Sequence, residues 1–374
     1  TEIYTLSLHD ALPICKHSNK KYNPSKRGMQ INRKASMRMT KQAAVLAFVV
    51  VLLLSGCRRI NPGPEYNPTP VILDLADHFP SMPLSADNPL TEEGVLLGRH
   101  LYYDPLLHPE QSMACASCHF QSNAFSSWPT SSGSSVIPHM NMGWSSSFLW
   151  DGSIEGTLED AMVFEVEDFF GTDVNLLQAD AAYPLMYFEA FGDSVITTDL
   201  TAKALAQFLR TLVTDQSPFD AYYYDHTTQL TTQELEGLIL FNSEKGDCFH
   251  CHPPPMFTDY QFHNTGLDST FTSDPGRYAV TGEPQDLGSF KTPSLRNIEL
   301  TAPYMHDGRF LTLEQVVSHY HHGVMPSASL DPLMTKLNGM TNLSLTQQEQ
   351  ASLVSFLKTL TDTDFTNNPA FSQP

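Results

Sequence analysis

Two short stretches hold residues that could do chemistry together, Cys115-Ala-Ser-Cys-His119 and Cys248-Phe-His-Cys-His252. Each reads Cys-x-x-Cys-His, the attachment signature of a c-type haem. The thiols of Cys115 and Cys118, and those of Cys248 and Cys251, would bond covalently to haem vinyl groups. His119 and His252 would each supply one axial iron ligand. The competing chemistry is a structural zinc ribbon, which also pairs Cys-x-x-Cys units but sets them roughly 15–20 residues apart. Here the whole stretch from Cys118 to Cys248 separates them, so two haem c groups are the expectation.

Helices must position these motifs. Apolar residues recur with a helical period after Thr91 (Val95, Leu96, Leu97, then Leu101 and Tyr102), and again at Leu205, Phe208, Leu209 and Leu212. Capping-box patterns at Thr157-Leu-Glu-Asp160, Thr231-Thr-Gln-Glu234, Thr312-Leu-Glu-Gln315 and Thr346-Gln-Gln-Glu349 mark four more helix starts. The serine-rich run from Gln121 to Ser135 reads as a loop, and the glycine-dotted stretch from Pro253 to Thr292 as a long irregular segment of the kind that wraps a cofactor. Strand signals are sparse. The expected architecture is mainly α, with two cytochrome c-like helical domains carrying one haem each. Residues 85–226 form the first and 227–374 the second. Beyond the repeated haem motif no internal repeat is legible.

The N-terminal part reads differently. Arg38 and Lys41 precede an uncharged apolar run from Ala43 to Leu54, and Leu-Ser-Gly-Cys57 closes it as a lipobox. The run is too short to span a bilayer and fits a lipoprotein signal, with the lipid on Cys57. Thr1 to Ser36, basic and patternless, reads as a wrong start or translation artefact, so residues 1–56 are expected to be absent from the mature chain. Residues 57–84, rich in Pro and Asn, read as a tether. An exported, periplasmic protein held to a membrane only by that lipid is the expectation. Of the six cysteines, Cys15 and Cys57 lie outside the haem motifs, which leaves no pair for a disulfide.

The chain carries 21 basic and 41 acidic residues, a formal net charge of −20. Nine of the basic and two of the acidic residues precede Cys57, leaving 12 basic against 39 acidic beyond it. Such a surface repels nucleic acid. It would steer a small basic cytochrome toward the haems.

The second axial ligands decide the chemistry. Leu313, Val316, Val317 and Tyr320 fall on one helical stripe, so Tyr320 points at the core. On spacing alone a core tyrosine bonded to some carbonyl is the better account of it. Around the first haem His139 is the only histidine between the motif and Trp150, and it reads as a surface or packing residue. An iron with one protein ligand keeps a face open for peroxide, whose cleavage needs a group that moves a proton. Glu165, Glu167, Asp168 and Asp160 follow Trp150 closely enough, with Glu167 favoured and Asp160 also a helix cap.

These motifs resemble the bacterial di-haem cytochrome c peroxidase and MauG family. The resemblance rests on Asn141-Met-Gly-Trp144, Phe148-Leu-Trp-Asp-Gly152, Phe290-Lys-Thr-Pro-Ser-Leu-Arg-Asn297 and Thr301-Ala-Pro-Tyr-Met-His-Asp-Gly308 beside the haem motifs, and spans about Leu90 to Leu360. It implies a peroxidatic haem on His119 and an electron-transfer haem on His252, with Trp150 between them on the electron path. Tyr320 falls where the peroxidases carry an axial Met and MauG an axial Tyr, so the resemblance implies that Tyr320 binds iron. It also implies a calcium ion between the haems on the carbonyls of Thr301 and Pro303, although Ser135 stands where the family has an Asn. Asp160 replaces a distal-pocket Gln, the distal acid corresponds to Glu167, and the peroxidases' distal His falls near Ser127. Hydrogen peroxide, a small cytochrome or cupredoxin as donor, and a homodimer complete what the resemblance implies. The readings left open are a peroxidase, a MauG-like oxidase of a protein or organic substrate, and a non-enzymatic di-haem carrier with His139, Met140 or Met142 closing the first iron.

Overall fold

Threonine side chains start the principal helices of this computed structural model, which describes residues 65–127, 135–336 and 339–374. The signal segment, Cys15, Cys57 and part of the serine-rich loop lie outside the described residues. Thr91 caps α1 (Glu92–Tyr103) by accepting the Gly94 N–H, and Thr197 caps α5 (Thr198–Thr211) in the same way through Leu200. All four capping boxes read from the sequence form. They open α2 (Leu158–Phe164), α7 (Thr232–Phe241), α9 (Leu313–Ser318) and α10 (Gln347–Lys358). A fifth, at Ser217, opens α6 (Pro218–Tyr223). The remaining helices are short: α3 (Val174–Ala179), α4 (Tyr183–Phe191), α8 (Tyr278–Thr281) and α11 (Thr363–Asn367). Two antiparallel pairs of two-residue strands are the described β-structure. β1 (Ser147–Phe148) pairs with β2 (Ile154–Glu155), and β3 (Phe262–His263) with β4 (Phe290–Lys291). The fold is mainly helical.

Two apolar cores are built to one plan. In the first, α1 crosses α5 and buries Leu97, Leu101, Tyr102, Leu205 and Phe208. A Cβ at Gly98 would lie 1.9 Å from the Ala204 carbonyl oxygen, so only glycine allows this approach. In the second, α7 crosses α10 over Phe241, Leu353, Phe356 and Leu357. There Gly237 meets the Ser352 carbonyl at the same 1.9 Å. The plan extends further. In each core a Thr-capped short helix runs straight into a π-helical turn, α2 into Glu165–Phe169 and α9 into His319–Gly323. The haem motif is thus one part of a larger structural repeat that the residue identities hide.

Two departures concern the chain ends. The last residues leave the second core for the first: Phe365 and Phe371 pack there, and Arg99 donates to the Ser372 carbonyl at 2.6 Å. Residues 65–84, read as tether, run along the body. The Ala76 N–H donates to Asp215 at 2.9 Å, His78 stacks on Tyr224 at 3.7 Å, and Phe79 is buried beneath the Arg296 guanidinium. Arg296 in turn holds Asp220 with two 2.8 Å hydrogen bonds, both side chains fully buried. One knot therefore joins this N-terminal strap, α6 and the second core.

Candidate functional site: two cavities with a shared wall

Each Cys-x-x-Cys-His motif opens onto a cavity. The first, of about 540 Å³, is lined by Cys115, Cys118 and His119. The second, of about 220 Å³, is lined by Cys248, Cys251 and His252. A left-handed turn after each motif aims its histidine. The carbonyl of Phe125, at φ +57°, accepts from Nδ1 of His119 at 2.8 Å. The carbonyl of Phe257, at φ +53°, does the same for His252 at 2.8 Å. Non-glycine residues rarely hold this conformation, and its use at both sites marks a functional constraint. Fixing Nδ1 as the donor leaves Nε2 as the free lone pair, the state an axial ligand needs. Burial pushes both imidazoles down to about 4, so they are neutral at pH 7.

The two π-helical turns supply what faces the motifs. Tyr320, eight residues after the capping Thr312, lines the second cavity, and burial together with the Cys251 and Cys248 thiols raises its phenol. Glu165 follows Thr157 by the same eight residues and lines the first cavity, where burial pushes its carboxyl up to about 7. Such π turns recur at functional sites. The acid favoured from the sequence, Glu167, is placed differently: it is exposed and outside the cavity lining. Asp160 is exposed as well and closes the capping box on Thr157 at 2.7 Å. Glu165 continues the buried stripe of Leu158, Ala161 and Met162 at i, i+3, i+4 and i+7, as Tyr320 continues that of Leu313, Val316 and Val317, and Glu167 falls off it.

His139 is half-buried and packs, the second of the two roles expected of it. Its ring stacks flat on His119 at 3.4 Å between centroids, and its Nδ1 lies 3.2 Å from the Tyr102 hydroxyl. Ser127 is buried in the stretch that follows the first motif.

Trp150 lines both cavities, as do Ser135, Lys291 and His306. It sits in the turn between β1 and β2. Its indole N–H donates to the Ser135 carbonyl at 2.7 Å, and its carbonyl accepts the Lys291 N–H at 2.8 Å. Thr301 and Pro303 lie on the wall of the second cavity. Two cations were not singled out from the sequence. Lys291 is largely buried, donates to Ser145 at 2.5 Å and to Ser147, and is pushed down to about 8 by burial. His263 lies between Asp331 at 2.6 Å and Asp259 at 2.8 Å. Burial opposes its charge, but these carboxylates win and push it up to about 12. The contrast between Lys291 and its apolar neighbours in Phe290-Lys-Thr-Pro was a legible signal. The partners of His263 are too distant in sequence to give one.

The chemistry of these walls fits haem: paired thiols stand beside a neutral, oriented histidine in each cavity. Comparisons agree. The family model described as di-haem cytochrome c peroxidase matches residues 92–228. The methylamine utilization protein MauG of Methylophilus methylotrophus is 33% identical over 297 residues, 75% of this chain and 86% of that protein. The cytochrome c551 peroxidase of Nitrosomonas europaea is 31% identical over 320 residues, 80% of this chain and 88% of its own length. The crystal structure of a MauG-like protein associated with microbial copper homeostasis superposes with a TM-score of 0.73 at 31% identity, covering 81% of this chain and 99% of that one. The chain belongs to the di-haem cytochrome c peroxidase and MauG family.

Proposed function

We propose that this protein is a di-haem peroxidase that reduces hydrogen peroxide to water with electrons from a small cytochrome or cupredoxin. The observation that carries the reading is the unequal filling of equivalent positions, Glu165 in the first cavity and Tyr320 in the second. A carboxyl poised near neutrality suits proton transfer, and a phenol offers a hard anionic ligand. The first cavity is then the peroxide site and the second receives electrons. Bound haem iron supplies cleavage of the oxygen–oxygen bond and stores the oxidising equivalents. Glu165 takes a proton from one peroxide oxygen and returns it to the other, and two electrons with two further protons complete two waters. Cys115, Cys118, Cys248 and Cys251 hold the haems covalently, His119 and His252 bind the irons, and Tyr320 completes the second. Trp150 carries electrons between the cavities.

The test is the peroxide reaction of the haem-loaded protein. Glu165→Gln is expected to slow it about 10²- to 10⁴-fold with both haems retained, and Glu167→Gln to leave it unchanged. The opposite pattern would return the role to Glu167.

Tyr320 favours a second reading, a MauG-like oxidase that spends two stored equivalents on a protein or organic substrate. The 33% identity to a MauG supports it as strongly as the 31% identity to a peroxidase supports the first. Export and a lipid on Cys57 remain inferred from the Leu-Ser-Gly-Cys57 pattern. Among the described residues no helix is long and apolar enough to cross a membrane.

A further inference from the structure

The family resemblance brings with it a calcium ion between the haems, on the carbonyls of Thr301 and Pro303 and an asparagine side chain. This chain has Ser135 at the asparagine position. Ser135 is buried, and all three of its polar groups have protein partners. Its hydroxyl donates to the Pro303 carbonyl at 3.0 Å. Its N–H donates to the His306 carbonyl at 2.6 Å, and its carbonyl accepts the Trp150 indole N–H at 2.7 Å.

This set does not suit calcium. The ion takes six to eight oxygen ligands at about 2.3–2.6 Å. Here the Pro303 carbonyl already accepts a hydrogen bond, and the Ser135 hydroxyl turns its hydrogen toward that oxygen rather than offering a lone pair to a shared ion. Serine is also shorter than asparagine and lacks the amide oxygen that would extend toward an ion. The same atoms do, however, make a closed hydrogen-bonded link. It runs from Pro303 and His306 through Ser135 to the indole of Trp150. The other end of Trp150 is gripped at its carbonyl by Lys291 of β4. Phe290, the neighbouring residue of that strand, stacks on the His306 ring at 3.5 Å.

We propose that the protein works without calcium, and that Ser135 is a positioning residue whose hydrogen bonds do the ion's work of holding Trp150 between the two cavities. The proposal rests on the di-haem reading above but not on peroxide being the substrate.

The experiment uses the haem-loaded protein, purified with and without added calcium. Its metal content is measured, and its absorption and electron paramagnetic resonance spectra are recorded before and after EGTA. Well under one calcium per chain, with spectra unmoved by EGTA or by calcium, is expected. One calcium per chain, with spectra that shift on chelation and recover on adding calcium back, would overturn the proposal. Because these readouts are spectra and metal counts, a protein inactive toward peroxide still decides the point. For the positioning role, electron transfer between the half-reduced haems is timed. Ser135→Ala is expected to slow it about tenfold, a barrier change of about 1.4 kcal/mol. Ser135→Thr, which keeps the hydroxyl, should restore it. An unchanged rate in Ser135→Ala would remove Ser135 from that role. If Ser135→Ala fails to load haem, the calcium measurements on the unaltered protein still stand.

Discussion

At the scale of single residues the site is a set of matched choices. A carboxyl in an apolar wall is held protonated to higher pH than in water, and here Glu165 reaches about 7. To take a proton from peroxide it must be ionised. The rate of the peroxide reaction should therefore rise as pH passes upward through about 7 and level off above it, and Glu165→Gln should flatten the profile. A profile with its inflection near the ordinary carboxylate value would point to an exposed acid such as Glu167. Tyr320 makes a second expectation. Replacing a hard anionic ligand by a thioether raises the potential of the iron it binds. Tyr320→Met should shift the potential of one haem upward and leave the other in place, as read by a spectroelectrochemical titration. Both haem motifs were legible from cysteine and histidine spacing alone. Tyr320 was legible from its helical stripe as a core-facing residue, and its reading as a ligand came from the family resemblance, because a stripe says which way a side chain points and nothing about what it meets. Glu165 was legible in the same way, as the i+7 member of the stripe Leu158, Ala161 and Met162, from which Glu167 falls away.

At the scale of elements, helix starts were readable because a capping box is a local pairing of a hydroxyl with an acid or amide three residues on. The long-range features were not. The crossings at Gly98 and Gly237 depend on partners far along the chain, Ala204 and Ser352. Any side chain at Gly237 meets backbone, which cannot swing aside. Gly237→Val should cost at least the roughly 1–3 kcal/mol of ordinary overpacking, seen as a lower thermal midpoint with weaker haem retention in the second core. The Asp220–Arg296 pair gives another test. Both side chains are fully buried, and the Arg296 guanidinium, with Ser217, holds the Asp220 carboxyl below its ordinary value against the effect of burial. Its stabilising effect is present above the unfolded carboxylate value of about 4 and is lost as pH falls through the lowered folded value. Arg296→Met strands the Asp220 charge and should destabilise by about 3–5 kcal/mol near pH 7. The loss should shrink in acid. A small, pH-independent loss in chemical denaturation would mean that the pair contributes little.

At the scale of the whole molecule the charge and the two-cavity plan act together. With 39 acidic against 12 basic residues from Cys57 onward, the protein should attract a basic electron donor over distances comparable to the Debye length, about 10 Å at 0.1 M salt. Turnover with a basic cytochrome at limiting concentration should fall steeply as salt rises, whereas turnover with a neutral small-molecule reductant should not. The shared wall around Trp150 makes a sharper demand, because it requires the unlike cavities to act as one unit. The measurement that tests this most directly is a stopped-flow record of the haem-loaded protein, both haems ferric, after one equivalent of hydrogen peroxide and with no prior reduction. Both haems should lose their ferric absorption together within milliseconds, with the first cavity open to peroxide and the second, through Tyr320, holding one of the two equivalents. No reaction until one haem has been reduced would contradict it, and would mean that the first iron is closed at rest.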